Sequence, residues 1–227
     1  MGEDIKKIGF DFSNIVVDDK RVEEYERQQA EQWEKDRRAT LEHDYKHLSG
    51  APAKYLKESL ETYKPLPENE KTFNWLCGFV SAVEQKKNTK NLVYLGGEYG
   101  TGKTHLGCGM IRRLGGKIVS SLELCITFDS CRDFNSPMTR IQYLKKLCSN
   151  DVLVIDEVGR GIPAIEKLVY PYLVNEFYGS GKLLVYLGNI ERNDFDKIIG
   201  NAGADRFAEV GIYFSLIGDS HRRIKNK

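Results

Sequence analysis

The chain has 227 residues, 34 Lys and Arg against 33 Asp and Glu, a formal net charge of +1 and 41% hydrophobic residues. This composition is ordinary for one main domain with a short appendage, and no apolar run approaches the length of a membrane span. The N-terminus has no apolar signal region, position 6 is Lys where a myristoylation site needs Ser or Thr, and the five cysteines include no Cys-x-x-Cys pair. We therefore expect a cytoplasmic protein without membrane contact, disulfide framework or zinc site.

The charges are unevenly distributed along the chain. Residues 1–48 contain 9 Lys and Arg against 13 Asp and Glu, about −4, so the remainder carries about +5. The acidic arm would suit binding to a protein surface. The mildly basic remainder of the chain would suit binding to an anion. The alternative is that both are ordinary solvated faces.

The acidic arm is predicted to be helical. Asp18 and Asp19 can cap a helix running to about Leu48, where Ser-Gly-Ala-Pro ends it. Its thin apolar stripe consists of Val22, Tyr25, Trp33, Leu41, Tyr45 and Leu48. Residues 8–17 either form a short docking strand for a partner or pack back on the core. We divide the chain into residues 1–50 (tail and charged helix, a candidate partner-binding arm), residues 51–72 (connector) and residues 73–227 (core domain).

Residues 97–104 read GEYGTGKT, the phosphate-binding P-loop pattern Gly-x-x-x-x-Gly-Lys-Thr. An apolar run at 91–95 precedes the loop as a predicted strand, and residues 105–113 follow it as a predicted helix. That context favours a true P-loop over a chance glycine-rich turn. The predicted nucleotide contacts are Gly97, Glu98, Tyr99, Gly100, Thr101, Gly102, Lys103, Thr104 and His105.

The chemistry of a P-loop explains its residue types. Glycines let backbone N–H groups turn towards phosphate oxygens, and the following helix N-terminus favours an anion. Lys103 would reach the β- and γ-phosphates of ATP, and the hydroxyl of Thr104 would bind Mg²⁺.

Residues 151–157 read DVLVIDE, a near-continuous apolar run ending in two acids. Such a run is typical of a central parallel strand covered on both faces, and ligands bind at the C-terminal edge of such sheets. Asp156 would hold Mg²⁺, and Glu157 would act as general base towards water. In the helix predicted after this strand, Pro171 predicts a kink or a split.

The order of these motifs resembles a known family. GEYGTGKTHL, VLVIDEVG, a strand ending in Asn189, Asp205-Arg206-Phe207 and Gly218-Asp-Ser-His-Arg222 together resemble the DnaC/DnaI-type replicative helicase loaders and their sister group, the IstB-type transposition ATPases. Both are AAA+ proteins, and the resemblance covers roughly residues 45–225. It implies an α/β P-loop AAA+ domain with a central parallel sheet flanked by helices, here preceded by a short helical N-terminal arm.

The resemblance also implies roles for individual residues. Asn189 matches the sensor-1 residue that orients the attacking water, although Gly188 replaces the usual Ser or Thr before it. Arg206 matches the arginine finger, which a neighbouring subunit supplies in trans, so activity would require self-association. Arg222 matches the sensor-2 arginine, with Arg223 as a nearby substitute.

Loaders of this class carry an additional helical element before the second motif, which contacts single-stranded DNA. In this chain the matching segment is residues 121–150, where basic and aromatic side chains are present but sparse. The candidate DNA contacts are Arg132, Phe134, Arg140, Lys145 and Lys146. The alternative is that residues 141–147 simply form an amphipathic helix packed on the sheet.

The favoured hypothesis is an ATP-dependent loader that places a replicative DNA helicase on single-stranded DNA, with hydrolysis as an assembly switch. An IstB-type partner of a transposase shares the core motifs. A nucleotide-binding adaptor with negligible ATP hydrolysis is a third hypothesis, which Gly188 supports. A small-molecule kinase fits least, because it would leave Glu157, Arg206 and Arg222 without a role.

Overall fold

The computed structural model describes residues 19–88 and 90–221. The predicted docking strand at 8–17 and the predicted sensor Arg222 lie outside these ranges. The chain divides into two compact units, residues 1–40 and residues 41–227, which are described separately.

The first helix, α1, spans Asp19–His47, close to the predicted bounds. In the first unit it is stabilised along its surface by ion pairs one turn apart, such as Arg27 with Glu31 and Arg38 with Glu34. The predicted stripe residues Val22, Tyr25 and Trp33 are exposed.

The second unit is built on a five-stranded, entirely parallel sheet with the strand order β2-β3-β4-β1-β5. The strands are β1 (Leu92–Gly97), β2 (Lys117–Ser120), β3 (Val152–Val158), β4 (Leu183–Gly188) and β5 (Gly211–Leu216). Parallel strands need crossover connections, which the intervening helices provide. The predicted fold class is therefore confirmed.

Within residues 41–88 and 90–221, six α-helices belong to the second unit in addition to the end of α1. They are α2 (Glu70–Glu84), α3 (Lys103–Leu114), α4 (Ser121–Ser130), α5 (Arg140–Cys148), α6 (Pro163–Phe177) and α7 (Arg192–Val210), the last interrupted at Gly200. No helix in residues 19–88 and 90–221 has both the length and the apolar character of a membrane span.

The central strands are buried on both faces, as their near-continuous apolar sequences predict. Alternate side chains of β3 show this: Leu153 and Ile155 join a core with α4, α5, α6 and α7, whereas Val154 joins a core with α2 and α3. Because helices pack on both faces of the sheet, the ends of its strands are the places where a ligand can bind.

Helix α6 contains the proline for which a kink or a split was predicted. Pro171 lies inside α6, which is continuous from Pro163 to Phe177, so the structure excludes the split of these two alternatives. Burial explains the continuity, because Tyr170, Leu173 and Val174 on either side of the proline are fully buried in the sheet core. Tertiary packing therefore outweighs the lost backbone hydrogen bond.

The segment between α1 and α2 packs closely on the domain that follows it. Ser49 extends the free edge of β2, because its carbonyl accepts a hydrogen bond from the backbone N–H of Ile118 at 2.8 Å. Asn69 pairs with Ile217 beyond β5 through two hydrogen bonds of 2.7 and 3.0 Å. This segment is thereby held against the sheet at both ends.

Candidate functional site

The strand order brings the predicted motifs to one edge of the sheet. The P-loop follows β1, Asp156 and Glu157 end β3, and Asn189 follows β4, which lies between those two strands. Parallel strands present their carboxyl ends at the same edge, where open α/β sheets bind ligands. Asn189 is therefore flanked by the P-loop on one side and by the two acids on the other.

The P-loop has the backbone geometry that its glycines permit. Gly97, Gly100 and Gly102 have φ angles of +134°, +81° and +93°. A side chain at Gly102 would be strained and would place Cβ 2.4 Å from the ring of Tyr63. The loop leads directly into α3, whose first residue is Lys103, so free helix N–H groups face the same space.

Lys103 is buried and folded back on its own loop. Its Nζ donates to the carbonyl oxygens of Gly97 at 3.0 Å and Glu98 at 2.6 Å. Burial lowers the pKa of Lys103 to about 8, although the nearby carboxylates of Asp156 and Glu98 oppose this shift. The loop thus holds a desolvated ammonium group that a phosphate could attract.

Asp156 and Thr104 place two oxygen atoms that can bind a metal ion beside Lys103. Burial raises the pKa of the Asp156 carboxyl, and its hydrogen bond with the Thr104 hydroxyl opposes that shift. One carboxylate oxygen of Asp156 also accepts the backbone N–H of Glu157 at 2.8 Å. The Asp156 side chain is therefore fixed from two directions.

Glu157 has an unusual backbone for a residue at the end of a strand. Its φ angle is +60°, and the pairing of β3 with β4 shifts register between Ile155 and Val158. Left-handed backbone in a non-glycine residue costs free energy and clusters at functional sites. Its side chain is half exposed and forms an ion pair of 3.6 Å with Arg160.

Tyr94 explains why position 188 is glycine. A Cβ at Gly188 would lie 2.8 Å from the Tyr94 hydroxyl oxygen, which occupies the space that a Ser or Thr would use. That hydroxyl donates to the carbonyl oxygen of Ile190 at 2.6 Å. The Tyr94 hydroxyl, on the neighbouring strand β1, therefore supports the turn that contains Asn189. A Ser or Thr hydroxyl at position 188 is replaced in this way.

A cavity of about 730 Å³ lies over these groups. The predicted residues lining it are Gly100, Gly102, Lys103, Thr104, His105, Asp156, Glu157 and Asn189, together with Tyr99. It is closed from one side by the segment between α1 and α2. There the Tyr63 hydroxyl donates to the carbonyl oxygen of Thr101 at 2.7 Å, and His105 Nε2 bonds to the carbonyl oxygen of Ser59 at 2.8 Å.

The C-terminal end of the described chain closes the same cavity. The backbone N–H of His221 donates to the carbonyl oxygen of Gly100 at 3.1 Å, and the His221 ring meets Tyr63 edge-on at 5.6 Å. Sequence reasoning missed Tyr63, Tyr94 and Arg160. For Arg160, its position three residues after Glu157 in a Gly-Arg-Gly turn was an available signal.

These residues fit a nucleoside triphosphate. The buried Oδ1 of Asn189 has no hydrogen-bond partner among the described residues, and Lys103 is satisfied only by its own loop. Within the described ranges no cluster of three or more His, Cys, Asp or Glu forms a metal cage. Thr104 and Asp156 nevertheless offer hard oxygen donors, which suits Mg²⁺ held partly by phosphate oxygens.

Arg206 lies apart from this cavity, on α7. Its guanidinium donates to the carbonyl oxygen of Ala202 at 3.2 Å and lies 5.5 Å from the centre of the Tyr178 ring. It lines neither this cavity nor the adjoining one beside β5. The structure therefore brings together the P-loop, Asp156, Glu157 and Asn189, but not Arg206.

The candidate DNA contacts lie on α5 and on the loop between α4 and α5. The side chain of Phe134 is fully exposed, and Arg132, Lys145 and Lys146 are also exposed, although Arg132 pairs with Asp129 at 3.5 Å. Arg140 instead points inward, with its guanidinium 2.7 Å from Asp129 and 4.6 Å from the centre of the Phe128 ring.

No family model and no curated protein matches this chain. Solved structures do. The crystal structure of the DnaC helicase loader superposes with a TM-score of 0.59 at 18% identity, over 73% of this chain and 99% of that one. The chain therefore has a P-loop α/β fold of the AAA+ type. The crystal structure of DnaI agrees, with a TM-score of 0.58 at 16% identity over 79% of this chain and 100% of that one.

A third AAA+ structure is the replication initiator DnaA bound to AMPPCP and single-stranded DNA. It superposes with a TM-score of 0.57 at 20% identity, over 74% of this chain but only 51% of that longer chain. The AAA+ fold that the sequence motifs imply is therefore confirmed. At these identities the likeness concerns the fold, so activity and partners depend on the site itself.

Proposed function

We propose that this protein is an ATPase that hydrolyses ATP to ADP and phosphate, and that its nucleotide state switches assembly with a replicative DNA helicase. The observation that carries the proposal is the cavity in which Lys103, Thr104, Asp156, Glu157 and Asn189 converge. The likeness to the DnaC helicase loader and DnaI over nearly the full length of those chains supports the choice of partner.

In the proposed reaction the P-loop N–H groups and Lys103 neutralise the phosphate oxygens. Thr104 and Asp156 would hold Mg²⁺, which supplies further positive charge to the triphosphate when bound. Glu157 accepts a proton as a water oxygen bonds to the γ-phosphorus and the bond to the ADP oxygen breaks. The unpartnered Oδ1 of Asn189 is suited to accept a hydrogen bond from that water.

We further propose that Arg206 acts in trans and that Arg222 contributes as a sensor. Arg206 lies away from the cavity of its own chain, which is consistent with a role in a neighbouring subunit's site. A guanidinium complements the charge on the transferring phosphoryl group. Hydrolysis would then be weak for the isolated chain and would rise on self-association.

Single-stranded DNA is the proposed second ligand. Phe134 offers a fully exposed ring for stacking on a base, and Arg132, Lys145 and Lys146 offer exposed cations for phosphates. Arg140 is better explained as a bridge between α4 and α5, because its guanidinium is already bonded to Asp129 and to the Phe128 carbonyl oxygen.

Co-migration with a bacterial replicative helicase on a sizing column tests the function. The runs contain ATP, ADP or no nucleotide, and Lys103→Ala serves as the variant that cannot respond to nucleotide. We expect a complex whose amount depends on nucleotide for the parent but not for Lys103→Ala. Absence of a complex in every state, with ATP binding intact, would refute helicase loading and favour a transposase or another target.

A further inference from the structure

Arg160 connects the predicted general base to the P-loop. Its guanidinium lies 3.6 Å from the Glu157 carboxylate and 5.1 Å from the centre of the Tyr99 ring. Tyr99 belongs to the P-loop, and its hydroxyl also interacts with Asn189; the hydrogen bond from Arg160 lowers the pKa of that hydroxyl. Arg160 therefore contacts two sides of the cavity at once.

The turn that carries Arg160 is fixed from within the protein. Glu166, only 2% exposed, accepts the backbone N–H groups of Gly159 at 3.1 Å and Gly161 at 3.0 Å through one carboxylate oxygen. The same oxygen is bonded to the hydroxyls of Ser121 and Tyr170. Buried carboxylates are tolerated only when so paired, so this turn has a defined conformation.

Glu157 needs such a support. Its side chain is 51% exposed, and its backbone directs it away from the regular strand pairing. A half-exposed carboxylate on a flexible side chain samples several rotamers, and only some of them place it at the cavity. The ion pair with Arg160, anchored by the fixed turn, reduces that freedom.

We propose that Arg160 is a positioning residue for ATP hydrolysis, which holds the Glu157 carboxylate at the cavity and links it to Tyr99 of the P-loop. This inference rests on the proposed function, in which Glu157 accepts a proton from water. Partly exposed ion pairs of this kind are weak, so loss of Arg160 lowers the population of correctly placed Glu157 by about fivefold at most.

The test compares kcat, KM and ATP affinity of the full chain with those of Arg160→Ala and Arg160→Lys. We expect Arg160→Ala to lower kcat by about threefold to fivefold and to leave ATP affinity within twofold of the parent. Arg160→Lys should restore part of the loss, because it keeps the charge but not the planar contact with Tyr99. Lys197→Ala, which removes a similarly spaced exposed ion pair on α7, should behave as the parent.

A second comparison separates positioning from direct catalysis. In single turnovers of labelled ATP, Arg160→Ala should have no further effect when Glu157 is already Gln, because the two residues act as one unit. An equal loss in both backgrounds, a parental kcat, or a weaker affinity with parental kcat would each overturn the inference. No turnover by the parent, or parental turnover by Glu157→Gln, would instead overturn the proposed function and this inference with it.

Discussion

Raising the pH should weaken ATP binding through Lys103. Burial lowers the pKa of this ammonium group to about 8, against the attraction of Asp156 and Glu98. A bound triphosphate adds negative charge beside Nζ and raises the same pKa. The free protein therefore loses the Lys103 proton as the pH rises past about 8, whereas the complex keeps it.

The size of the effect follows from that pKa. Below pH 8 Lys103 is charged in both states, so the affinity is nearly independent of pH. Above it, binding must take up a proton, so the dissociation constant rises with pH. From pH 7 to pH 9 the expected loss of affinity is about tenfold, or about 1.4 kcal/mol.

The assay is titration with a fluorescent ATP analogue at pH 7, 8 and 9, with Mg²⁺ and ionic strength held constant. Lys103→Arg is the matched control, because a guanidinium stays charged throughout this range; it should bind more weakly but without the pH dependence. A constant affinity for the parent between pH 7 and 9, or the same slope in Lys103→Arg, would refute the assignment of this titration to Lys103.

Three further perturbations probe the site. Glu157→Gln should bind ATP as the parent does but lower kcat by at least about a hundredfold, because the variant lacks the general base. Parental turnover in a phosphate-release assay would exclude Glu157 as the general base. Glu166→Leu should lower the free energy of unfolding in urea by about 3 kcal/mol, because the N–H groups of Gly159 and Gly161 and the hydroxyl of Ser121 lose their acceptor. A change under about 1 kcal/mol would contradict this prediction. Gly102→Ala should bind ATP at least about tenfold more weakly, since φ is +93° and Tyr63 blocks the Cβ. Unchanged binding by calorimetry would show that the loop adapts.

Local sequence patterns predicted much of the second unit. The apolar runs before the P-loop and before Asp156 became β1 and β3, and the run at 183–187 became β4. Each is buried on both faces, which makes the signal nearly continuous. By contrast, β5 (Gly211–Leu216) was not predicted, because its side chains are mostly half-buried or exposed and it lies at the edge of the sheet.

Other features depended on contacts that no local pattern reports. Pro171 is tolerated in a continuous helix because the residues around it are buried in the core. Gly188 is required by the hydroxyl of Tyr94 from the neighbouring strand. Arg140 looked like a DNA contact in the sequence, yet its guanidinium joins two helices.

The sequence by itself determined the phosphate-binding loop, the acidic pair and the apolar central strands, because each rests on residues close together in the chain. The tertiary structure decided how these parts face one another. It inserted β4 between β1 and β3, closed the cavity with Tyr63 and His221, and brought Arg160 to Tyr99. Those arrangements depend on strand order and side-chain packing between distant segments, which local propensity and periodicity do not encode.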